Sequence, residues 1–308
     1  MNILITGVAG FVGYHLAKLL SVNHKVCGID DLSRGKLDKD FRDLDIEFIK
    51  VNLTRPSRLD LSSFDYIFHC AAVCGTKNFY DKPYFTLCNN IISTINLITL
   101  ADNFKGKIIF TSTSENYSGN KDLPIPTPEV KNLSIADIYN PRWSYAGSKI
   151  VGEQLFIHSG KKYSIARLHN IYGERMGFGH VIPMVMQRIK EQQAPFEIIG
   201  KDDTRSFTYI NDAVEALWEI AKSNNTDGKI INIGRKKETS IGDLYNDIFK
   251  ITKFKPKKII YKDSPDGSTK RRLPDVSLLR ELTGYECQTK LKDGLKKTWD
   301  WYKHADIR

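Results

Sequence analysis

The chain has 308 residues, enough for one large domain or two smaller ones around a substantial core. Its hydrophobic share of 41% and charged share of 27% are those of an ordinary globular protein, and no apolar run approaches the ~18 residues that a membrane span needs. The formal charge of +10 comes from Lys-Lys and Lys-Arg pairs scattered among acids, so it describes a solvated surface and argues against a nucleic-acid partner.

Residues 2–6 (NILIT) read as a strand running straight into Gly7, with no basic leader and no cleavage site, so the expected compartment is the cytoplasm. Further β-branched runs at 25–29, 46–49, 65–69, 107–111 and 163–168 predict strands, and 11–22, 84–104 and 144–159 carry apolar residues at helical spacing. Alternating strands and helices with near-continuous apolar strands predict an α/β fold: a doubly wound parallel sheet of the Rossmann type. After Asn170 the loops lengthen, and helices at about 181–192, 211–223 and 240–251 are separated by short strands. The expected division is a nucleotide-binding domain over 1–169 with a return segment near 208–235. A smaller, partly interleaved substrate domain would occupy 170–207 and 236–308.

The loop Gly7-Val-Ala-Gly10-Phe11-Val12-Gly13 follows a strand and opens a helix. Glycines there allow a tight turn and bring backbone N–H groups and the helix N-terminus to a pyrophosphate. The second strand ends in Ile29-Asp30-Asp31. A carboxylate at that point accepts hydrogen bonds from ribose hydroxyls and repels a 2′-phosphate, which favours NAD over NADP, with Arg34 close enough to leave some NADP tolerance.

Five cysteines (Cys27, Cys70, Cys74, Cys88, Cys287) form an odd, scattered set; Cys70 and Cys74 have no second ligand pair, and the seven histidines do not cluster. Free thiols and no metal site are the expectation. The stretch Thr111-Ser-Thr-Ser-Glu-Asn-Tyr-Ser-Gly119 ends the run 107–111 in hydroxyls and one carboxylate. Tyr145-Ala-Gly-Ser-Lys149 sets a phenol and an ammonium at i and i+4 on one helical face. A tyrosine near its ordinary pKa of ~10 is a poor base at neutral pH. The adjacent ammonium, with a positive nicotinamide ring, is expected to lower it, and the lysine can also bind the nicotinamide ribose.

Gly7/Gly10/Gly13, Asp30, His69-Cys-Ala-Ala72, Asn90-x-x-x-Thr94-x-Asn96-Leu97, Thr113 and Tyr145/Lys149 fall in an order and at intervals that resemble an extended short-chain dehydrogenase/reductase. The group resembled is the one that modifies nucleotide-linked sugars, and the likeness covers nearly the whole chain. Arg167-Leu-His-Asn170-Ile-Tyr172-Gly173, Arg205-Ser-Phe-Thr-Tyr-Ile-Asn-Asp212 and Arg272-Leu-Pro-Asp275 resemble its later segments.

The resemblance implies an NAD-dependent enzyme in which Asn52 and Leu53 border the adenine, where the family usually has Asp in place of Asn52. Ala71 and Ala72 would lie against the cofactor, with Asn90 near its nicotinamide side. Tyr145 would take a proton from a sugar hydroxyl, Thr113 would hold the reacting oxygen, and Asn170, Arg205 and Arg272 would hold a nucleotide diphosphate. His180 and Val181 would line the sugar and nucleotide pocket. The segments 84–104 and 145–157 would form a homodimer seam, although Leu87, Ile91, Ile95 and Ile98 suit an ordinary core equally well. No membrane partner is implied.

The family's 4,6-dehydratases usually follow the catalytic Thr with Asp-Glu; here Ser114 and Glu115 follow Thr113, so the acid for water loss is missing. The order of expectation is a net 4-epimerase or 4-dehydrogenase first, possible substrates including a GDP-heptose or hexose of a surface-polysaccharide pathway. A nucleotide-sugar decarboxylase comes second, then a 4,6-dehydratase, with a non-catalytic NAD sensor disfavoured by the retained Tyr145 and Lys149. A uronate substrate would require a cation beside Glu115, and the sequence alone places none there.

Overall fold

The computed structural model describes residues 1–120, 122–264 and 268–305. The expected substrate-domain segment 236–308 therefore includes 265–267 and 306–308, which lie outside the described residues. In chain order the first half contains β1 (Asn2–Thr6), α1 (Phe11–Leu20), β2 (Lys25–Asp30), α2 (Lys39–Arg42), β3 (Glu47–Lys50), β4 (Tyr66–His69), α3 (Thr76–Asp81), α4 (Pro83–Leu100) and β5 (Lys107–Thr113). A 3-10 turn (Ser114–Tyr117), α5 (Trp143–His158) and β6 (Tyr163–Leu168) follow. The second half contains β7 (Ile171–Tyr172), α6 (Val181–Lys190), β8 (Phe196–Ile199), β9 (Thr204–Ser206), β10 (Thr208–Tyr209), α7 (Ile210–Lys222) and β11 (Ile230–Ile233). It ends with β12 (Glu238–Ser240), α8 (Ile241–Thr252), β13 (Ile259–Lys262), β14 (Arg271–Arg272), α9 (Ser277–Thr283) and α10 (Leu291–Tyr302).

Seven strands form one parallel sheet in the order β11-β6-β5-β4-β1-β2-β3. Every residue of β5 is buried, which is why its middle, Ile108-Ile109-Phe110, is continuously apolar rather than alternating, while Thr111, Ser112 and Thr113 are buried hydroxyls at the end of the strand. One core packs α1 and α7 on one face of the sheet, and a second core, containing Leu97, Phe110 and Phe156, fills the other face under α4 and α5. Parallel register places Thr6 beside His69, His69 beside Phe110, and Thr113 beside Leu168, so the strand ends open onto one edge. Ligands of such sheets bind at that edge.

The floor under that edge is a buried ion pair. Arg167 donates to both carboxylate oxygens of Glu153, at 2.9 and 2.6 Å, and Ser112 and Asn116 donate to the same carboxylate at 2.6 and 2.8 Å. Ser112 is thereby spent on structure. Removing one partner of such a pair strands the other charge and costs about 3–5 kcal/mol. The small sheets carry the other wall: β9 pairs antiparallel with β12 and parallel with β14, which sets Arg205 directly beside Arg272.

Candidate active site

A cleft of about 1410 Å³ runs along the open strand edge and between the two halves of the chain. Its first wall is the glycine loop. Gly7 has φ +70°, and a Cβ there would lie 2.7 Å from the Ala71 backbone; a Cβ on Gly13 would lie 2.2 Å from the Gly7 carbonyl oxygen. Only glycine allows this close backbone packing, and the tight turn it makes brings the loop N–H groups and the start of α1 to the cleft, an arrangement that suits a diphosphate. Gly10, Phe11 and Val12 line the same wall. Asp30 accepts from the Ala9 and Leu32 amides at 3.0 and 2.8 Å, which fixes its carboxylate toward the cleft, while burial raises its pKa. Asp31 accepts from Ser33 N at 2.9 Å. Asn52 accepts from Thr54, and it lines the cleft together with Leu53, Ala71 and Ala72. A glycine cradle joined to an oriented carboxylate fits a dinucleotide.

Arg34 does not turn toward the Asp30 carboxylate. Its Nη1 donates to Cys74 Sγ at 2.9 Å, so the guanidinium is already engaged by the loop after β4. Asn90 also departs from its expected role. It is buried and is not on the cleft wall; its side chain accepts from Val73 N at 2.7 Å and donates to Val73 O and Ser148 Oγ, both at 3.0 Å. Asn90 braces the loop after β4 against α5, and Asn89 and Ser93 face the cleft instead.

Tyr145 and Lys149 both line the cleft from the first turns of α5. The Tyr145 hydroxyl shares a hydrogen bond with Thr113, and its ring stacks on Phe79 at 5.0 Å. Burial raises its pKa, and Cys74 and the Glu115 carboxylate raise it further. Lys149 donates to the Thr111 carbonyl at 2.8 Å and lies 6.0 Å from the Tyr145 ring centre, and burial lowers its own pKa to about 8. Lys149 is expected to lower the phenol together with a positive nicotinamide ring; in the chain by itself Lys149 is tied to the strand end, and burial dominates Tyr145. A positive nicotinamide ring would add the charge that favours the phenolate.

Glu115 stands beside them with three guanidinium groups. Arg272 donates to its Oε1 at 2.6 Å, Arg142 lies 3.7 Å from its Oε2, and Arg205 adds its field. Burial alone would raise the carboxyl; Arg272 first, then Arg142 and Arg205, hold it down to about 2. Arg205 donates to the Thr204 carbonyl at 2.8 Å, and burial, with Arg272 next to it, lowers its pKa to about 10. Arg272 also donates to Ser118 Oγ at 2.6 Å. Ser114, Asn170, His180 and Val181 complete the lining, with Asn170 held at φ 41° and donating to the Ser206 carbonyl at 3.2 Å.

The sequence model of the NAD-dependent epimerase/dehydratase family matches residues 3–234. The chain belongs to that family. It is an NAD-dependent enzyme with the family's seven-stranded Rossmann-type sheet. A UDP-N-acetyl-alpha-D-glucosaminuronate decarboxylase of Bacillus cytotoxicus is 32% identical, over 98% of this chain and 98% of that protein. Among solved structures, UDP-glucose 4-epimerase of Thermotoga maritima, with UDP-glucose, is 26% identical with a TM-score of 0.86, covering 98% of this chain and 99% of that one. UDP-glucuronic acid 4-epimerase of Bacillus cereus, in complex with UDP-glucuronic acid and NAD, is 27% identical with a TM-score of 0.82 over the same shares.

For a member of this family, three cleft residues escape a reading by motif. Arg142 lies one helical turn before Tyr145, a spacing that could have flagged it. Phe79 and Cys74 carry no such signal, because their place depends on how the loop after β4 folds back over α5. No helix among the described residues is long and apolar enough to cross a membrane.

Proposed function

We propose that this protein oxidises carbon 4 of a nucleotide-linked sugar acid and that the resulting ketone loses carbon dioxide. The observation that carries this reading is the convergence of Arg142, Arg205 and Arg272 on the single carboxylate of Glu115. Asp203, 3.9 Å from Arg205, is a second anion of the group, and two anions among three cations leave a local excess of positive charge, in a setting where a low dielectric strengthens it. A diphosphate accounts for part of it, and a uronate carboxylate next to Tyr145 accounts for the remainder.

In this reading Tyr145 takes the 4-hydroxyl proton, and Thr113 holds the oxygen. NAD, which the Gly7–Gly13 loop and Asp30 would hold, would supply the hydride chemistry of both the oxidation and the final reduction. The 4-ketone is β to the sugar carboxylate, so the C5–C6 bond can break with its electron pair passing to the carbonyl oxygen held by Tyr145 and Thr113. Carbon 5 then takes a proton. Ser114 in place of an acid speaks against dehydration, and the decarboxylase relative agrees with the choice. A 4-epimerase is the second reading, favoured by the likeness to the two solved epimerases.

The test is incubation of the holoenzyme with UDP-, GDP- and TDP-linked sugars and their uronates, followed by mass spectrometry. The expected product is a pentose-type nucleotide sugar lighter by one carbon dioxide. A product of unchanged mass, or one that has lost only two hydrogens, would overturn decarboxylation in favour of epimerisation or net dehydrogenation.

A further inference from the structure

Three loops meet at one sulfur. Cys74, after β4, receives the Arg34 guanidinium from the loop after β2 at 2.9 Å, and it shares a hydrogen bond with His180 at the entry to α6. The three loops lie at van der Waals range of one another. A Cβ on Gly75 or on Gly177 would come within 3.9 or 3.8 Å of Arg34 Nη2, and one on Gly179 within 3.5 Å of the Gly75 Cα. Arg34, Cys74 and His180 all line the cofactor cleft, and Cys74 is partly exposed there. They thus tie the adenosine-side loop and the substrate-side loop across the same opening.

We propose that Cys74 is a modification site, whose sulfur attacks low-molecular-weight disulfides entering the cleft, and that the adduct unlatches the loops closing over the cofactor. The Cys74 sulfur forms a bond to one sulfur of the reagent as the reagent's own S–S bond breaks. The electron pair leaves with the second sulfur as a thiolate, and no further oxidant is consumed. The mixed disulfide carries no charge at Cys74, so Arg34 and His180 lose the anion that holds them together.

The setting supplies the thiolate. Burial opposes ionisation, but Arg34 and then His180 outweigh it, and the thiol is drawn down to about 6; from α5, Tyr145 and Lys149 also feel its charge. Cys70, four residues earlier in the same cleft, is instead pushed up to about 12 by burial. Cys27 and Cys287 are buried. Reactive cysteines are found in partly exposed, electropositive surroundings, and Cys74 has both properties.

The experiment uses the NADH-loaded protein, hydroxyethyl disulfide as reagent, peptide mapping, and NADH fluorescence to follow cofactor release. The adduct is expected on Cys74, with a rate that rises through a midpoint near pH 6 and, in Arg34→Ala, through a clearly higher one, because burial then acts without the guanidinium. Modification should quicken NADH release about tenfold, the effect of losing one charge-assisted contact, and the reagent should leave release from Cys74→Ser unchanged. An adduct on Cys88 instead, the same midpoint with and without Arg34, full protection by bound NADH, or unaltered NADH release would each overturn the proposal. The test needs only cofactor binding, so it stands apart from the identity of the sugar.

Discussion

Arg272 Nη1 and Glu115 Oε1 lie 2.6 Å apart and join residues separated by 157 positions in the chain. One stands just past the end of a central strand of the parallel sheet; the other lies on a two-residue strand paired with Arg205. The reaction proposed for this site would therefore draw on a contact between distant parts of the chain. Arg272→Ala is expected to lower turnover by about 10²–10³-fold, the range for removing a preorganised charge from a reacting centre. Arg272→Lys should recover little, because an ammonium cannot serve Glu115 and Ser118 with one planar fork. Steady-state kinetics on the substrate found in the panel checks both variants, and wild-type turnover in Arg272→Ala would remove it from the site.

The same pair has a signature in stability. Glu115 titrates near 2 in the folded chain against an ordinary value of 4.5. A depressed carboxyl contributes stability that is complete above the unfolded value and is lost as pH falls through the folded one. The loss should therefore run from about pH 4.5 down to about 2, and it should be smaller in Arg272→Ala. Urea unfolding of both proteins at pH 7 and pH 3 measures it; equal acid sensitivity would separate the Glu115 shift from Arg272.

Tyr145→Phe is expected to reduce turnover by roughly 10²–10⁴-fold, the usual scale of general acid–base catalysis, while NAD binding persists. The geometry supports this separation, since the phenol shares its hydrogen bond with Thr113 whereas the cofactor cradle lies at Gly7–Gly13 and Asp30. Lys149, held at about 8 by burial, should add an alkaline limb in which activity falls as pH rises through that value. A profile flat to pH 10 would show that the Lys149 proton is not needed.

For Asp30→Ala, NAD affinity should fall about tenfold or more, since a charged acceptor is lost. Discrimination against NADP should relax only in part, because the nearby Arg34 is engaged by Cys74 rather than waiting for a 2′-phosphate. Titration of NADH and NADPH fluorescence gives both numbers, and an unchanged preference would exclude Asp30 as the ribose ligand.

Local chemistry was readable in the sequence wherever the residues concerned were neighbours. Tyr145 and Lys149 share a helix face, Gly7 and Gly13 flank one turn, and the predicted strand 107–111 extends to Thr113 in the structure. The apolar stretch Ile108–Phe110 also matched a buried strand, because a strand covered on both faces needs no alternation. What remained hidden was tertiary. Arg272 and Arg142 reach Glu115 from 157 and 27 residues away, a distance that no periodicity encodes. Asn90 illustrates the converse: its position in a family motif suggested the cofactor, yet folding spends all its hydrogen bonds on Val73 and Ser148.

The homodimer expected from the family resemblance has a surface on which to be tested. On α4, Ile92 and Ile95 are 40% and 42% exposed, and Ile95 and Ile98 line a shallow groove with Val151 and Leu155 of α5. Leu97, in contrast, is wholly buried in the sheet core, so the helix presents apolar residues on two faces at once. A helix pair that packs against the same pair of a second copy would bury Ile95 twice. At about 1.5–3 kcal/mol per buried aliphatic side chain, Ile95→Glu should weaken association by at least ~10²-fold. Because Ile95 contributes nothing to the inner core, the variant should keep its circular dichroism and melting behaviour. Light scattering of both proteins over a concentration series decides the matter: a wild-type chain that stays monomeric throughout would show that this apolar stripe does not form a dimer seam.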